Sequence, residues 1–519
     1  EDWVVSAAWL ADRGLDTPEL WVRGLRGSAS RQILPPGREP AGRRHADPTR
    51  ADPDREEKED WSRQADAKAN EASTGGSHMT FLKKGVSRRG LMKGGIALSA
   101  GLAAPQFFIK GASAQAYLNE PTGSTVTLGF NVPQSGPYAD EGADELRAYQ
   151  LAVEHLNGGG DGGMMNTFSS KELKGNGILG KKVEFVTGDT QTKSDAARAS
   201  AKSMIEKDGA IMITGGSSSG VAVAVQALCQ EAGVIFMAGL THSNDTTGKD
   251  KKANGFRHFF NSYMSGAALA PVLKNAYGTD RKAYHLTADY NWGYTTEEAV
   301  RSSTEAMGWE TVAAVKTPLA QTDFSSYITP VLQSDADVLV LNHYGGNMVN
   351  SLTNAVQFGL REKMVNGKQF EIVVPLYSRL MAKGAGENVK GIFGSTNWHW
   401  SLTDAGSQAF VKSFGEKYGF PPSQAAHTCY VQALLYADAV ERAGTFNPCG
   451  VVEALEGFEF DGLGNGPTLY RAEDHQCFKD VLVVKGKENP ASEFDLLEIV
   501  EVTPVEQVTY APDHPQFAG

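Results

Sequence analysis

The feature that most constrains this chain is a long alternation of short apolar runs with segments of helical spacing, starting near Thr125. Strand-like runs fall at 126–131, 182–188, 210–214 and 234–238, and the pattern restarts after Phe256 at 282–288, 311–316, 338–341 and 372–375. Helical spacing occupies 144–157, 194–208, 221–232, 265–277, 295–307, 325–333 and 348–358, with Ser194 expected as a cap. Strands that alternate with helices predict parallel sheets covered on both faces. Two successive sets predict two doubly wound, Rossmann-like α/β lobes. The length of 519 residues also exceeds one ordinary core. No low-complexity linker divides the sets, so the lobes are not expected to tumble independently.

In open α/β sheets, ligands bind beyond the carboxyl ends of the strands. Three such ends are informative. Ser135-Gly136-Pro137-Tyr138 follows the first strand, Gly215 to Gly220 joins a strand to a helix, and Gly239-Leu240-Thr241-His242-Ser243 follows the fourth. Free N–H groups at the start of a helix, with the hydroxyls of Ser217, Ser218 and Ser219, suit a carboxylate, and Thr241 can complete that pocket. The same Gly/Ser run also reads as a plain turn with an N-cap. Aromatic residues follow the strands of the second set: Tyr290 and Trp292, then Tyr344, then Tyr377. Such rings wall an apolar group or face an ammonium, and each also reads as packing between lobes.

An enzyme reading competes. Gly216-x-Ser218-x-Gly220 matches a nucleophile elbow, with His427 or His475 as base and Asp289 or Asp337 as acid. The repeated α/β pattern does not fit the single sheet of such a hydrolase, so no catalytic residue is assigned. There is no HExxH, no phosphate loop and no GxGxxG after the first strand, so neither cofactor nor metal is expected. Trp398-His399-Trp400 reads as structural. The net charge of −12 argues against nucleic acid or anionic membrane as a partner.

None of the four cysteines forms a CxxC pair. Full pairing allows three connectivities. Cys449–Cys477 is the favoured disulfide, since both fall in a loop-rich stretch after a helix, and Cys229 reads as a buried free thiol. From Met79 the chain has the layout of an export signal: a basic stretch with Ser87-Arg88-Arg89-Gly90-Leu91-Met92-Lys93 similar to a twin-arginine motif, a short apolar run at 94–104, and the cleavage-like Ala112-Ser113-Ala114 and Ala114-Gln115-Ala116. The apolar run falls short of the ~20 residues that span a bilayer. Residues 1–78 are rich in charge and proline without apolar periodicity, which predicts a disordered or non-native extension with the natural start at Met79.

Several pieces in this order resemble the branched-chain amino-acid-binding protein family, which has the type I periplasmic binding fold. They are Ser135-Gly136-Pro137, Val186-Thr187-Gly188-Asp189, the triple serine, Asp289-Tyr290-Asn291-Trp292-Gly293, Thr322-Asp323-Phe324-Ser325, Ala355-Val356-Gln357-Phe358-Gly359-Leu360 and Arg471-Ala472-Glu473-Asp474-His475-Gln476. The resemblance spans about 123–500 and implies two lobes joined by three crossovers around a ligand cleft. It implies a division into 1–78 (extension), 79–116 (export signal), 117–258 plus 396–475 (lobe 1) and 259–395 plus 476–519 (lobe 2).

It further implies a non-enzymatic, extracytoplasmic solute-binding protein of an ABC importer: a periplasmic monomer, partnered by an inner-membrane permease, closing by a hinge on a branched-chain or related amino acid. A ligand-sensing role, or aromatic or aliphatic carboxylates, amides or urea as ligand, are the alternatives. Ser217, Ser218, Ser219 and Thr241 would hold the carboxylate and the Leu240 carbonyl the ammonium. Trp292 and Tyr344 would close over from lobe 2, and Tyr138 would line lobe 1. The family often places an acidic partner for the ammonium after the strand at 372–375. Here Leu376-Tyr377-Ser378 stands in that place, with Asp289 a possible replacement.

Overall fold

In the computed structural model the described residues run from Asn119 to Phe517. The expected extension and export signal lie outside them. Two sheets organise the described chain.

The first sheet has the order β2-β1-β3-β4-β5 and is parallel throughout: β1 (Thr125–Val132), β2 (Lys182–Asp189), β3 (Met212–Gly215), β4 (Ile235–Ala238) and β5 (Gly255–Arg257). β1 is buried along almost its whole length, as a central strand covered on both faces must be. One face packs on α1 (Ala139–Leu156), and the other is covered by α2 (Ser194–Glu206) and α3 (Ser219–Ala232).

The second sheet has the order β17-β16-β12-β11-β8-β6-β7. Its strands β6 (Lys282–Ala288), β7 (Glu310–Thr317), β8 (Val338–Asn342), β11 (Glu371–Leu376) and β12 (Phe393–Thr396) are parallel. β16 (Val481–Gly486) and β17 (Leu497–Thr503) add an antiparallel edge. A hairpin, β9 (Met364–Val365) with β10 (Lys368–Gln369), stands apart. The intervening helices are α4 (Ser262–Tyr277), α5 (Asn291–Ala306), α6 (Ser325–Gln333), α7 (Gly345–Gln357) and α8 (Arg379–Ala385).

After β12 the chain returns to the first sheet. It forms α9 (Ala405–Tyr418), α10 (Gln424–Ala443), α11 (Pro448–Leu455) and a small sheet of β13 (Glu459–Phe460), β14 (Thr468–Tyr470) and β15 (Cys477–Phe478). α10 packs along α1 and is buried on nearly every face, so it is a core helix rather than an amphipathic cover. The Ser423 hydroxyl caps it by accepting from the Ala426 N–H. The chain therefore passes between the two sheets three times: after β5, after β12 and after β15.

Helix starts are where the sequence pattern and the structure differ most. α1 begins at Ala139, five residues before the expected position, because Gly142 lets its first turn lie against β1's end. A Cβ on Gly142 would stand 1.8 Å from the Pro133 carbonyl oxygen. The acidic residues of that turn, Asp140 and Glu141, suit the positive end of a helix. Ser194 is not a cap: its hydroxyl donates to the Gly220 carbonyl, tying α2 to α3.

The expected Cys449–Cys477 disulfide is a correction. Cys477 lies buried in β15, within the core beneath the first sheet, whereas Cys449 is exposed on the first turn of α11, so the two sulfurs do not meet. All four cysteines are free thiols, and three are buried. A thiol-specific chromogenic reagent should therefore modify one thiol quickly in the native protein and four after denaturation, with the fast one lost in Cys449→Ser; fewer than four under denaturing, non-reducing conditions would contradict this arrangement. Gly142→Ala should lower stability by ~1–3 kcal/mol through overpacking against Pro133, measured by urea unfolding.

Candidate functional site

The carboxyl ends of the two parallel sheets face one another along a seam, and α1 supplies the first sheet's side of it. The loop before α1 is fixed by Asp189 at the end of β2. Its carboxylate accepts from the N–H groups of Gln134 (2.8 Å) and Ser135 (3.2 Å) and from the Ser135 hydroxyl (2.6 Å). That set of bonds holds the Asp189 carboxyl below the usual range against the opposing effect of burial. It also places Tyr138 at the seam, where the ring is fully buried.

Tyr138 meets residues of the second sheet. Its hydroxyl shares a 2.6 Å hydrogen bond with that of Tyr290, and its ring meets Tyr344 edge-on with centroids 5.5 Å apart. Trp292 lies against both Tyr290 and Tyr344, each 6.1 Å away. Four rings thus converge from both sides. The backbone closes beside them: Gly346 N–H donates to the Pro137 carbonyl (3.2 Å), and Gly345, at φ +55°, has no room for a Cβ against the Tyr138 ring.

Beside the rings lie three acidic residues of α1 that the sequence analysis did not single out: Glu141, Asp144 and Glu145, all buried. Asp144 is fully compensated. It accepts from the Arg379 guanidinium across the seam (3.3 Å), from Ser423 N–H (3.0 Å) and from Arg147 (3.5 Å). Glu145 has no cation; one oxygen accepts from the Ser217 hydroxyl (2.5 Å) and the other has no partner. Burial pushes both Glu141 and Glu145 up to about 8, only partly offset by the Ser217 bond to Glu145 and, at Glu141, by a backbone N–H and the Arg379 charge. The Tyr344 hydroxyl feels the charge of both carboxyls and faces the side chains of Ser378 and Gln424, with no well-aligned hydrogen bond to either. The signal was present in the sequence as Glu141 and Glu145 one helical turn apart. It was hidden because the pattern put that first turn in a loop.

The residues expected to grip a carboxylate are buried together at the seam but are largely engaged with one another. Ser219 Oγ accepts from Thr241 Oγ1 (3.2 Å) and from the N–H groups of His242 (3.3 Å) and Ser243 (3.1 Å). Thr241 Oγ1 also shares a bond with Thr246 (3.1 Å). Ser217 is turned to Glu145, and Ser218 is the N-cap residue of α3, without a side-chain cap bond. Leu240 is buried in the core continuous with the second sheet. Trp292 and Tyr344 join the ring cluster with Tyr138, whereas Tyr377 does not: it packs on Gly394 inside the second lobe. Asp289 lies outside the cluster and accepts from the Tyr294 hydroxyl at an exposed position (2.6 Å).

The hydrolase constellation is not assembled. His427 Nε2 bonds the Leu463 carbonyl and its ring stacks on Trp398, while His475 bonds the Gly255 carbonyl and Glu456. Neither reaches Ser218. Asp337 accepts from Lys282 N–H and Arg281 within the second lobe. Among the described residues, no helix is long and apolar enough to cross a membrane, and no cluster of His, Cys, Asp or Glu is arranged to hold a metal.

Comparison with known proteins places this geometry. The model of the periplasmic binding protein family matches residues 125–491. A Leu/Ile/Val-binding protein homolog 7 of Brucella abortus (strain 2308) is 24% identical over 350 residues, covering 66% of this chain and 83% of that protein. The solved branched-chain amino acid ABC transporter periplasmic ligand-binding protein from Burkholderia xenovorans LB400 is 25% identical, with TM-score 0.61, covering 74% of this chain and 96% of the other. A solute-binding protein of an ABC transporter from Rhodopseudomonas palustris BisB5, solved with 3,4-dihydroxybenzoic acid, superposes with TM-score 0.63 at 19% identity, over 74% and 98% of the two chains. With its two facing parallel sheets, three crossings and a family match over most of its length, this chain belongs to the periplasmic binding protein family.

Proposed function

We propose that this chain is the extracytoplasmic solute-binding component of an ABC importer and catalyses no reaction. It takes one small solute, of amino-acid-like size, between lobe 1 (117–258 with 396–475) and lobe 2 (259–395 with 476–519). The observation that carries this reading is the convergence of buried rings and unpartnered polar atoms from both sheets at one seam: Tyr138 and Glu145 from one side, Tyr344 from the other. Buried polar atoms without partners are costly, and a bound solute would supply the missing bonds.

Three crossings of the chain support a hinge rather than a rigid block. In the working cycle the solute enters the open form, the lobes close through the Tyr138–Tyr290 and Asp144–Arg379 contacts, and the closed shape is recognised by an inner-membrane permease. The periplasm is the compartment such a cycle requires, and a monomer suffices for it. Solute-binding relatives of this kind include both amino-acid and aromatic-acid binders by their names. The ring cluster here suits a solute with an apolar or aromatic body.

A cognate solute at one hundred times its Kd should stabilise the protein by about 2.7 kcal/mol, visible as a rise in Tm, and should shrink the radius of gyration in solution scattering. Tyr290→Phe removes one bond of closure and should weaken solute binding by ~1 kcal/mol, about fivefold in Kd, with little change in the Tm of the free protein. Solutes that bind with no change in scattering and with full affinity in Tyr290→Phe would place the site elsewhere.

A further inference from the structure

Within that solute-binding reading, the geometry points to a ligand whose recognised end is a cation, seated between the Glu141 and Glu145 carboxylates of α1 and the rings of Tyr138, Trp292 and Tyr344. The ligand class is then amines and quaternary ammonium compounds, in preference to carboxylates.

Three observations converge on it. First, the acidic run on α1 is unevenly compensated. Asp144 has Arg379, Arg147 and a backbone N–H, whereas Glu145 has only the Ser217 hydroxyl and retains an orphan oxygen. Each buried carboxylate needs a positive partner or a proton. Second, Tyr344 is buried, its hydroxyl faces the Ser378 and Gln424 side chains without a well-aligned hydrogen bond, and it feels both Glu141 and Glu145, so a further polar group fits at that spot. Third, the rings of Tyr138, Trp292 and Tyr344 gather at the same seam, and an aromatic ring attracts a cation to its face.

The same observations count against an anion. Of the hydroxyls that would bind a carboxylate, that of Ser217 is spent on Glu145, whereas Ser219 only accepts, from Thr241 and two backbone N–H groups, and Ser218 makes no side-chain cap bond. A carboxylate placed at the serine loop would also lie beside Glu145 and binds only with that carboxyl protonated, since two like charges at short range oppose one another. This site therefore differs from an amino-acid site in which the serine loop holds the anion.

The pair also sets a pH dependence. The charged and titratable groups around it are Asp140, Asp144 and Tyr149 on α1, Arg379 from α8, Cys429 on α10, and the hydroxyls of Tyr138 and Tyr344. Without a cation, burial keeps both carboxyls protonated up to about pH 8. A cation binds the ionised form, so binding releases protons below pH 8. Affinity should rise with pH through the range 5 to 8, by up to about tenfold per unit for each carboxyl that ionises, and level off above it. A neutral amide would bind the protonated pair and show no such rise.

The test is a thermal-shift screen of the full-length protein against a broad metabolite panel that includes matched sets: benzylamine, benzamide and benzoate; leucinamide and leucine; choline and betaine. Hits are followed by calorimetry at several pH values in two buffers of different ionisation enthalpy. The expected result is Tm shifts from the cationic members, proton release on binding, and at least tenfold weaker binding in Glu145→Gln and Glu141→Gln. Asp140→Asn, on the exposed side of the same turn, should bind as the parent does. Circular dichroism and urea unfolding show whether the Gln variants are folded; should either fail, the pH slope and proton count of the parent protein still decide. Shifts from benzoate or leucine that survive in Glu145→Gln would overturn the cation assignment and leave the solute-binding reading standing. A panel in which no solute of any class shifts Tm would overturn both.

Discussion

The salt bridge between Asp144 and Arg379 governs this structure, because it joins the two lobes while lying almost wholly out of water. A buried ion pair adds little net stability, since desolvation offsets the attraction, but removing one partner leaves an uncompensated charge costing several kcal/mol. Its effect is geometric. Asp144 is also held by Ser423 N–H at the start of α10, so the same carboxylate fixes α1 against α10 and fixes both against α8 of the other lobe. α1 can therefore bring Glu141 and Glu145 to the seam only in the register that Asp144 sets.

A second network runs beside the crossings. Trp292 Nε1–H can only donate, so His242 Nδ1 accepts that 2.8 Å bond, and its Nε2–H then donates to Ser265. Ser265 shares a bond with Ser395, whose hydroxyl donates to the Pro375 carbonyl. Burial and the Arg257 charge keep His242 neutral, well below its ordinary range, which this tautomer requires. The chain of bonds links the end of β4, the first helix after the first crossing, and the last strand before the second. Closure at the rings is thereby tied to the crossing strands. Near the third crossing, buried Lys479 faces His258 of the first.

Much of the fold was legible because its information is periodic. β6 was read to its residue limits and most other strands to within one or two, since a strand buried on both faces is a continuous apolar run. The antiparallel edge of β16 and β17 and the long α10 were not read, because an all-round buried helix carries no clear stripe. At the site, Tyr138, Trp292 and Tyr344 were legible as rings after strand ends. Glu141 and Glu145 were not. Their turn contains Gly142, which reads as a break, yet the residue is there for the close approach to Pro133. The cysteines failed for a related reason: nearness in a loop-rich segment does not show that one thiol sits exposed on a helix while the other is buried in a strand.

The uneven compensation of α1 makes closure depend on the ligand's charge. Glu141 and Glu145 are buried at the seam between the lobes. Burial drives both towards protonation. Near neutral pH the closed seam without a ligand therefore holds protons on both carboxyls. A cation in the seam replaces those protons and lets the carboxylates stay charged through closure. An anion there leaves both protons in place. The discrimination then lies in whether the ligand can take the place of those protons, as well as in the contacts of the closed site.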